Sequence, residues 1–331
     1  MPEKTSLSTK RVSASLEAFL SGLIDYAGLF PPASLDFDSA IRNYSRYRRS
    51  DDRWILGAFV CPASQVDALI AYEALLRADS VHPLALLGRP AVNIDEWEDG
   101  LRGLISAVEE IDQRLDGVVS TGALELQLPL GVASSTGRTE KAIRMLYSTF
   151  SADQYDFDFF VEVVPGGDGD AARNVARELL RHDRADGGRR AAMKIRTGGV
   201  TADAVPDAGV VASFLCSCRD EEIRFKATAG LHHPVRRYSS EVGTEMHGFL
   251  NVFAGAMIAA EHGLGPDKLR TILVDTSPDA FHFDEAGLTV GDLSVRPSRI
   301  SRLRRDYAVS FGSCSFDEPR EDLRALGLLC V

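Results

Sequence analysis

The sequence predicts a single-domain α/β protein built as a (β/α)8 TIM barrel. Its 331 residues, 45% of them hydrophobic, suffice for one large barrel with a substantial core. Short apolar segments alternate with amphipathic helical segments and are rich in Val, Ile, Leu and Phe, which is typical of parallel strands covered by helices. Hairpin signals are almost absent. A doubly wound open sheet is the alternative with the same alternation.

Seven apolar segments predict strands, and an eighth strand is added if residues 23–29 are partly extended. Several segments end at residues that break regular structure, such as Pro62 after the first and Gly198-Gly199 after the fifth. The seven predicted strands cover residues 53–62, 83–90, 121–128, 156–164, 190–197, 222–228 and 307–311.

Between the strands, apolar residues recur at helical spacing. The predicted helices cover residues 13–23, 34–48, 65–77, 94–115, 139–150, 169–182, 202–218 (interrupted at Pro206), 246–262 and 267–273. We assign residues 1–20 to an N-terminal extension with a helix and residues 21–331 to the barrel. The alternation fails in residues 263–305, which we interpret as an insertion before the last strand.

Composition excludes several classes of partner. Lys and Arg total 37 against 48 Asp and Glu, a formal charge of −11, which argues against nucleic acid or an anionic membrane surface as the main partner. No run approaches 18 apolar residues, and the N-terminus has no apolar signal region. The five cysteines lack the spacing of a disulfide scaffold. We therefore expect a cytoplasmic protein, and pairing of its outer helices into a homo-oligomer is compatible with this fold.

Ionisable residues lie on four predicted strands. Glu125 and Glu162 lie on the third and fourth strands, and Lys194 and Lys226 on the fifth and sixth. In a parallel barrel the chemistry lies at the C-terminal ends of the strands, so these four are the candidate catalytic residues. An ammonium buried in an apolar strand is costly unless it is paired or deprotonated.

Two lysines on successive strands have two interpretations. Their proximity would lower the pKa of one of them, and an unprotonated lysine is a nucleophile that forms a Schiff base with a carbonyl compound. Alternatively, Lys194 and Lys226 form structural salt bridges with Glu162 and Glu125 inside the barrel. The sequence leaves both interpretations open.

Three short motifs resemble a known family. MKIRTGG (193–199) and FKATAG (225–230) resemble the two lysine-bearing strands of deoxyribose-phosphate aldolase and its class I aldolase relatives, and FGSCS (311–315) resembles the turn after that family's last strand. The resemblance implies that Lys194 is the Schiff-base lysine, that Lys226 lowers its pKa, and that Glu125 serves the proton relay. It further implies an oxyanion or phosphate site lined by Gly198, Gly199, Gly230, Gly312 and Ser313.

The sequence departs from that family at several positions. Arg196 stands where the family has a small hydroxyl residue, and His232-His233 follows the second lysine. Arg196 and Arg236 are candidate groups for a substrate carboxylate or phosphate. We add His232 and His233 to the candidate substrate-binding residues.

The leading hypothesis is therefore an aldolase-like lyase that forms a lysine Schiff base with a small anionic carbonyl compound or phosphorylated metabolite and needs no cofactor. The first alternative is a hydrolase or lyase that uses a divalent metal bound by His232, His233 and His247. The second alternative is a barrel that binds a small anion without catalysis.

Overall fold

Eight parallel strands close into a barrel, which confirms the predicted fold class. The computed structural model describes residues 12–78, 81–163, 169–188 and 190–329. Around the barrel, each strand pairs with the next along the chain, and the last strand returns to the first. The barrel strands are β1 (Ile24–Tyr26), β2 (Leu56–Pro62), β3 (His82–Leu87), β4 (Val119–Gln127), β5 (Asp158–Val163), β6 (Ala191–Arg196), β7 (Arg224–Thr228) and β13 (Ala308–Ser313).

Helices cover the outside of the barrel. Two of them begin where a side-chain oxygen of Asp36 or Asn93 accepts hydrogen bonds from amides of the first turn, which satisfies donors that have no partner inside the helix. The helices are α1 (Ala14–Leu20), α2 (Phe37–Arg48), α3 (Val66–Ile70), α4 (Glu73–Leu76), α5 (Ile94–Arg114), α6 (Thr136–Thr149), α7 (Asp170–Ala185), α8 (Ala208–Asp220), α9 (Phe249–His262), α10 (Pro266–Leu273), α11 (Pro297–Asp306) and α12 (Asp317–Ala325). None of the helices in the described ranges is long and apolar enough to cross a membrane.

Small antiparallel sheets are the main feature that the sequence analysis missed. Strands β8 (Arg237–Ser239) and β9 (Thr244–Met246) form a hairpin between β7 and α9. The segment that we predicted as an insertion holds α10, α11 and a three-stranded sheet. The strands of that sheet are β10 (Phe281–Phe283), β11 (Leu288–Val290) and β12 (Leu293–Val295).

Three predicted helices have different bounds. The helix predicted over 65–77 is divided into α3 and α4. The helix predicted over 202–218 begins only at Ala208, because Pro206 interrupts it and Asp207 caps the helix through the Gly209 amide. The helix predicted from residue 246 begins at Phe249, since Met246 belongs to β9. Of the predicted strand 156–164, residue 164 lies outside the described residues.

Strand register places four polar residues in one row inside the barrel. Glu162 of β5 pairs with Lys194 of β6, which pairs with Lys226 of β7, and Lys226 pairs with Ser310 of β13. The apolar core lies between the strands and the helices, and every residue of α9 from Phe249 to Ala259 is buried there. The barrel fold therefore surrounds a charged interior with an apolar shell.

Candidate active site

Lys194 lies between two carboxylates. Its Nζ is 2.8 Å from Oε2 of Glu125 and 2.9 Å from Oε2 of Glu162, and all three side chains are at most 4% exposed. At this burial an ammonium is stabilised only by such close anionic partners, because it has lost nearly all of its hydration. The geometry thus shows the ion pairs that the salt-bridge interpretation predicted. They involve Lys194, the same residue that the Schiff-base interpretation makes the nucleophile.

Lys226 lies beside the same carboxylate. Its Nζ contacts Oε1 of Glu125 and lies 2.6 Å from Oδ2 of Asp25 on β1. Asp25 is held in turn by the Ser310 hydroxyl, 2.7 Å from Oδ2, and by the Ala58 amide, 2.7 Å from Oδ1. The sequence analysis had not included Asp25 among the catalytic candidates, and its signal was a lone carboxylate within the apolar stretch of residues 23–29.

Glu125 is the central charge of this cluster, because it contacts both lysines. Burial acts to raise the pKa of Glu125, but the Lys194 and Lys226 ammonium groups outweigh it and lower the pKa to about 2. Burial acts to lower the pKa of Lys226, but the Asp25 and Glu125 carboxylates raise it above its ordinary value. Lys226 and Glu125 therefore stay ionised at neutral pH.

A cavity of about 320 Å³ opens at the C-terminal end of the barrel, above this cluster. Lys194 and Glu125 line it together with Arg196, whereas Lys226 and Glu162 lie behind its wall. Its other described lining residues are Ala27, Phe30, Pro31, Pro32, Val60, Leu87, Gly198, Gly199, Val200, Thr201, Ala204, Thr228, Ala229, Gly230, Leu231, His232, Gly312, Ser313 and Cys314. The site is thus a partly apolar cavity with one lysine in its charged wall, the usual form of a small-molecule site.

Arg196 carries a positive charge to the rim of the cavity. Its side chain is 52% exposed, and its Nε is 3.3 Å from Oε1 of Glu162. Because it is held by a single carboxylate that also contacts Lys194, much of its guanidinium remains available to an anion in the cavity.

Two of the predicted glycines are required by close packing. A Cβ on Gly198 would lie 2.7 Å from the Gly230 Cα, and a Cβ on Gly230 would lie 2.8 Å from the Gly198 Cα. Gly230 also has a φ of +77°, which favours glycine. The turns after β6 and β7 can therefore pack this closely only because neither Gly198 nor Gly230 has a side chain.

The turn after the last strand completes this wall of the cavity. A Cβ on Gly312 would lie 3.3 Å from Oγ1 of Thr228, which is close but not prohibitive. Ser313 is buried, and its carbonyl accepts a hydrogen bond from the Ala27 amide at 2.7 Å, which joins β13 to the end of β1. The five candidate anion-site residues, Gly198, Gly199, Gly230, Gly312 and Ser313, all line the cavity.

His232 and His233 face the C-terminal helix. Nδ1 of His232 is 3.2 Å from Oε2 of Glu318, and Nδ1 of His233 is 2.6 Å from Oδ2 of Asp322, both on α12. Of the two histidines, His232 lines the cavity and His233 does not. The structure thus places only one of the pair where it can touch a bound molecule.

Arg236 and His247 lie together, away from the cavity wall. The Arg236 guanidinium is 3.2 Å from Nδ1 of His247, whose Nε2 is 2.8 Å from the Pro206 carbonyl oxygen. Neither belongs to the cavity lining. Within the described ranges, no group of three or more His, Cys, Asp or Glu side chains is placed to hold a metal ion. Of the three histidines of the metal alternative, His232 and His233 thus face Glu318, whereas His247 is held elsewhere by Arg236 and the Pro206 carbonyl oxygen.

Comparisons with known proteins bear on the fold. No protein-family model and no curated protein matches the sequence. A solved structure described as a "putative deoxyribose-phosphate aldolase from Toxoplasma gondii ME49" is 11% identical with a TM-score of 0.49, and the match covers 94% of this chain and 95% of that one.

Two other solved structures are similar. "QR15, an Aldolase" is 13% identical with a TM-score of 0.44, over 65% of this chain and 83% of that one. A D-tagatose 3-epimerase-like protein is 11% identical with a TM-score of 0.43, over 76% and 95%. At such scores the activities of these proteins carry no argument here, so function must be argued from the site itself.

Proposed function

We propose that this chain is a cytoplasmic lyase that forms a Schiff base between Lys194 and a small anionic carbonyl compound, and that cleaves or forms a carbon–carbon bond in it. The observation that carries the proposal is the different placement of the two buried lysines. Lys194 lines the cavity, whereas Lys226 lies behind it against Asp25 and Glu125. Only Lys194 can reach a substrate.

Schiff-base formation needs an unprotonated Lys194. Glu162, 2.9 Å from Nζ, takes the proton, and the free amine then attacks the carbonyl carbon. The attacking nitrogen gives up a proton to the carbonyl oxygen, which yields a carbinolamine. Glu162 returns its proton to the hydroxyl group, which leaves as water, and a protonated imine remains on Lys194. The positive charge that this imine carries takes the place of the lost ammonium charge beside Glu125 and Glu162, so the charge balance of the cluster is preserved.

Retro-aldol cleavage follows from this iminium. Glu125 lines the cavity, and its carboxylate accepts the proton of the substrate's β-hydroxyl, directly or through water. The Cα–Cβ bond breaks, its electron pair passes to the iminium to form an enamine, and an aldehyde leaves. Protonation of the enamine carbon and addition of water to the resulting iminium release the second product and restore the Lys194 amine. Dehydration or isomerisation could proceed through the same intermediate.

The same cavity also offers a binding site for the anionic part of the substrate. Arg196 supplies the charge, and the backbone of the glycine turns at Gly198, Gly230 and Gly312 approaches closely because no side chain intervenes. A carboxylate or phosphate bound there fixes the carbonyl group near Lys194. This arrangement supports a small phosphorylated metabolite or keto acid as the substrate.

Reductive trapping tests the proposal. The protein is incubated with a panel of small aldehydes, keto acids and sugar phosphates, reduced with borohydride, and analysed by intact mass and peptide mapping. We expect an adduct on Lys194 that is absent in Lys194→Arg, which keeps the charge, and that persists in the control Lys141→Arg, a surface lysine of α6.

Two results would contradict the proposal. One is an adduct on Lys226 with none on Lys194. The other is catalytic activity that survives in Lys194→Arg while metal, bound at about one ion per chain, is lost from a His232→Ala/His233→Ala variant. The second result would favour the metal alternative. Binding of a small anion without any turnover or adduct would favour the non-catalytic alternative.

A further inference from the structure

A cysteine, a histidine and a glutamate form a second polar group at the cavity, on the opposite side of the C-terminal mouth from Glu125. Cys314 follows β13 and lines the cavity with His232. Its Sγ is 3.8 Å from Nδ1 of His232, and the same nitrogen is 3.2 Å from Oε2 of Glu318. Cys314 thus contacts His232, and His232 contacts Glu318. The three residues are a nucleophile, a base and a group that orients the base.

The partners of His232 fix where its proton lies. The Glu318 carboxylate can only accept a hydrogen bond, so Nδ1 must carry a proton, and Sγ lies beside that N–H. Burial acts to lower the pKa of His232, but its contacts with Cys314 and Glu318 raise it to about 10. The hydrogen bond from His232 in turn lowers the pKa of Glu318. His232 is therefore a cation at neutral pH, next to a sulfur atom.

We propose that Cys314 is a second nucleophile of this cavity, which adds reversibly to the carbonyl carbon of a small aldehyde, with His232 as proton carrier and Glu318 as positioning residue. In this step a C–S bond forms between Sγ and the carbonyl carbon, and the π electron pair of the C=O bond moves to oxygen. The cationic His232 donates a proton to that oxygen, and the proton lost from sulfur replaces it on the imidazole. The product is a neutral thiohemiacetal, and no other reactant is needed.

Cys314 is 9% exposed and borders the cavity, whereas the other cysteines in the described residues do not border it. Cys61, Cys216 and Cys218 are buried outside the cavity lining. Burial raises the pKa of Cys61 to about 12, and the pKa values of Cys216 and Cys218 are raised by burial as well. These three thiols serve as internal controls, since burial keeps them protonated and out of contact with reagents.

Other titratable groups also face the Cys314–His232 pair. The ring of His233 is tilted against that of His232 with 6.4 Å between the centroids, and the charge of Arg237 lowers the pKa of Glu318. Burial raises the pKa of Tyr26 on β1 above its ordinary value, so its phenol is uncharged at neutral pH. Across the cavity lie Lys194 and Arg196. The titratable group in direct contact with Cys314 is His232.

The first test measures the rate of iodoacetamide alkylation at Cys314 by peptide mass spectrometry from pH 5 to 10. At pH 6 we expect Cys314 to react at least about tenfold faster in the wild type than in His232→Gln, because the imidazolium favours the thiolate. Glu318→Gln should shift the pH profile of the alkylation rate towards higher pH, which a merely structural role would not do. Equal rates and profiles in wild type and His232→Gln would overturn the proposal.

The second test examines whether Cys314 adds to a carbonyl carbon. It uses the Lys194→Arg variant, in which no Schiff base can form on that residue. Propionaldehyde should slow the alkylation of Cys314 reversibly, whereas 1-propanol, similar in size but without a carbonyl group, should not. Equal protection by the two compounds would overturn the proposal. Because Lys194 takes no part in this test, its failure is distinguishable from failure of the Schiff-base function.

Discussion

Lys194 and Lys226 are direct cross-strand partners, and their ammonium nitrogens contact the two different oxygens of one carboxylate. Two like charges side by side in a buried interior are strongly unfavourable without a shared counter-charge. Glu125 supplies that charge, and Asp25 and Glu162 each add another at one end. The cluster is thus a chain of alternating charges in which Lys194, between Glu125 and Glu162, lies at the cavity.

Replacing Glu125 should destabilise the protein strongly. In Glu125→Gln both lysines lose a common partner while staying buried, and we expect a decrease in the free energy of unfolding of about 3 kcal/mol or more. Urea unfolding followed by circular dichroism measures it. The control is Glu98→Gln, which breaks an exposed pair with Arg102 and should cost less than about 1 kcal/mol. Equal losses in the two variants would show that Glu125 does not hold the cluster together.

The same carboxylate makes stability depend on acid pH. The pKa of Glu125 is about 2 in the folded protein, below the value of about 4.3 for an unfolded chain. Its contribution is therefore complete above about pH 4.3 and is lost as the pH falls towards 2. The difference in the free energy of unfolding between wild type and Glu125→Gln should shrink over that interval. A difference that stays constant from pH 6 to pH 3 would contradict this.

The parts of the fold that local sequence patterns encode were predicted correctly. A buried apolar strand followed by glycine or proline is a local signal, and it identified the strands that carry Lys194 and Lys226. The closed barrel followed from the repetition of that signal. The hairpin turn between β11 and β12, at Gly291-Asp292, is also a local signal, but flanking strands of only three residues are too short to show alternation.

The ion pairs of Lys194 and Lys226 with Glu162 and Glu125 could be predicted from sequence, but the pairing of Asp25 with Lys226 could not. Asp25 meets Lys226, 201 residues away along the chain, only because β1 closes the barrel against β13. Conversely, Arg236 lies near His232 in sequence, yet its side chain turns towards His247 because Asn251 holds its amide at 2.8 Å. Contacts of these kinds depend on tertiary closure and leave no periodic pattern in the sequence.

Arg196 should govern the preference for anionic substrates. In Arg196→Gln the rim of the cavity loses its positive charge, and we expect reductive trapping of pyruvate on Lys194 to weaken about tenfold in apparent affinity, the effect of roughly 1.4 kcal/mol. Trapping of acetone, which is similar in size but uncharged, should change little. Arg102→Gln, on the outer face of α5, is the matched control. An equal effect on pyruvate and acetone would remove Arg196 from the anion site.

Gly198 and Gly230 should tolerate no side chain. In Gly198→Ala the new Cβ would lie 2.7 Å from the Gly230 Cα and 3.1 Å from the Met246 side chain, so the two turns must separate. We expect a loss of about 1–3 kcal/mol in the free energy of unfolding, measured with urea, together with weaker trapping of anionic carbonyl compounds. Gly103→Ala is the matched control, since its Cβ would meet nothing within 4 Å on an exposed turn of α5. That control should gain about 0.5–1 kcal/mol, because alanine favours a helix more than glycine does. If Gly198→Ala proved as stable as Gly103→Ala, the close approach of the β6 and β7 turns would not be a feature of the folded protein in solution.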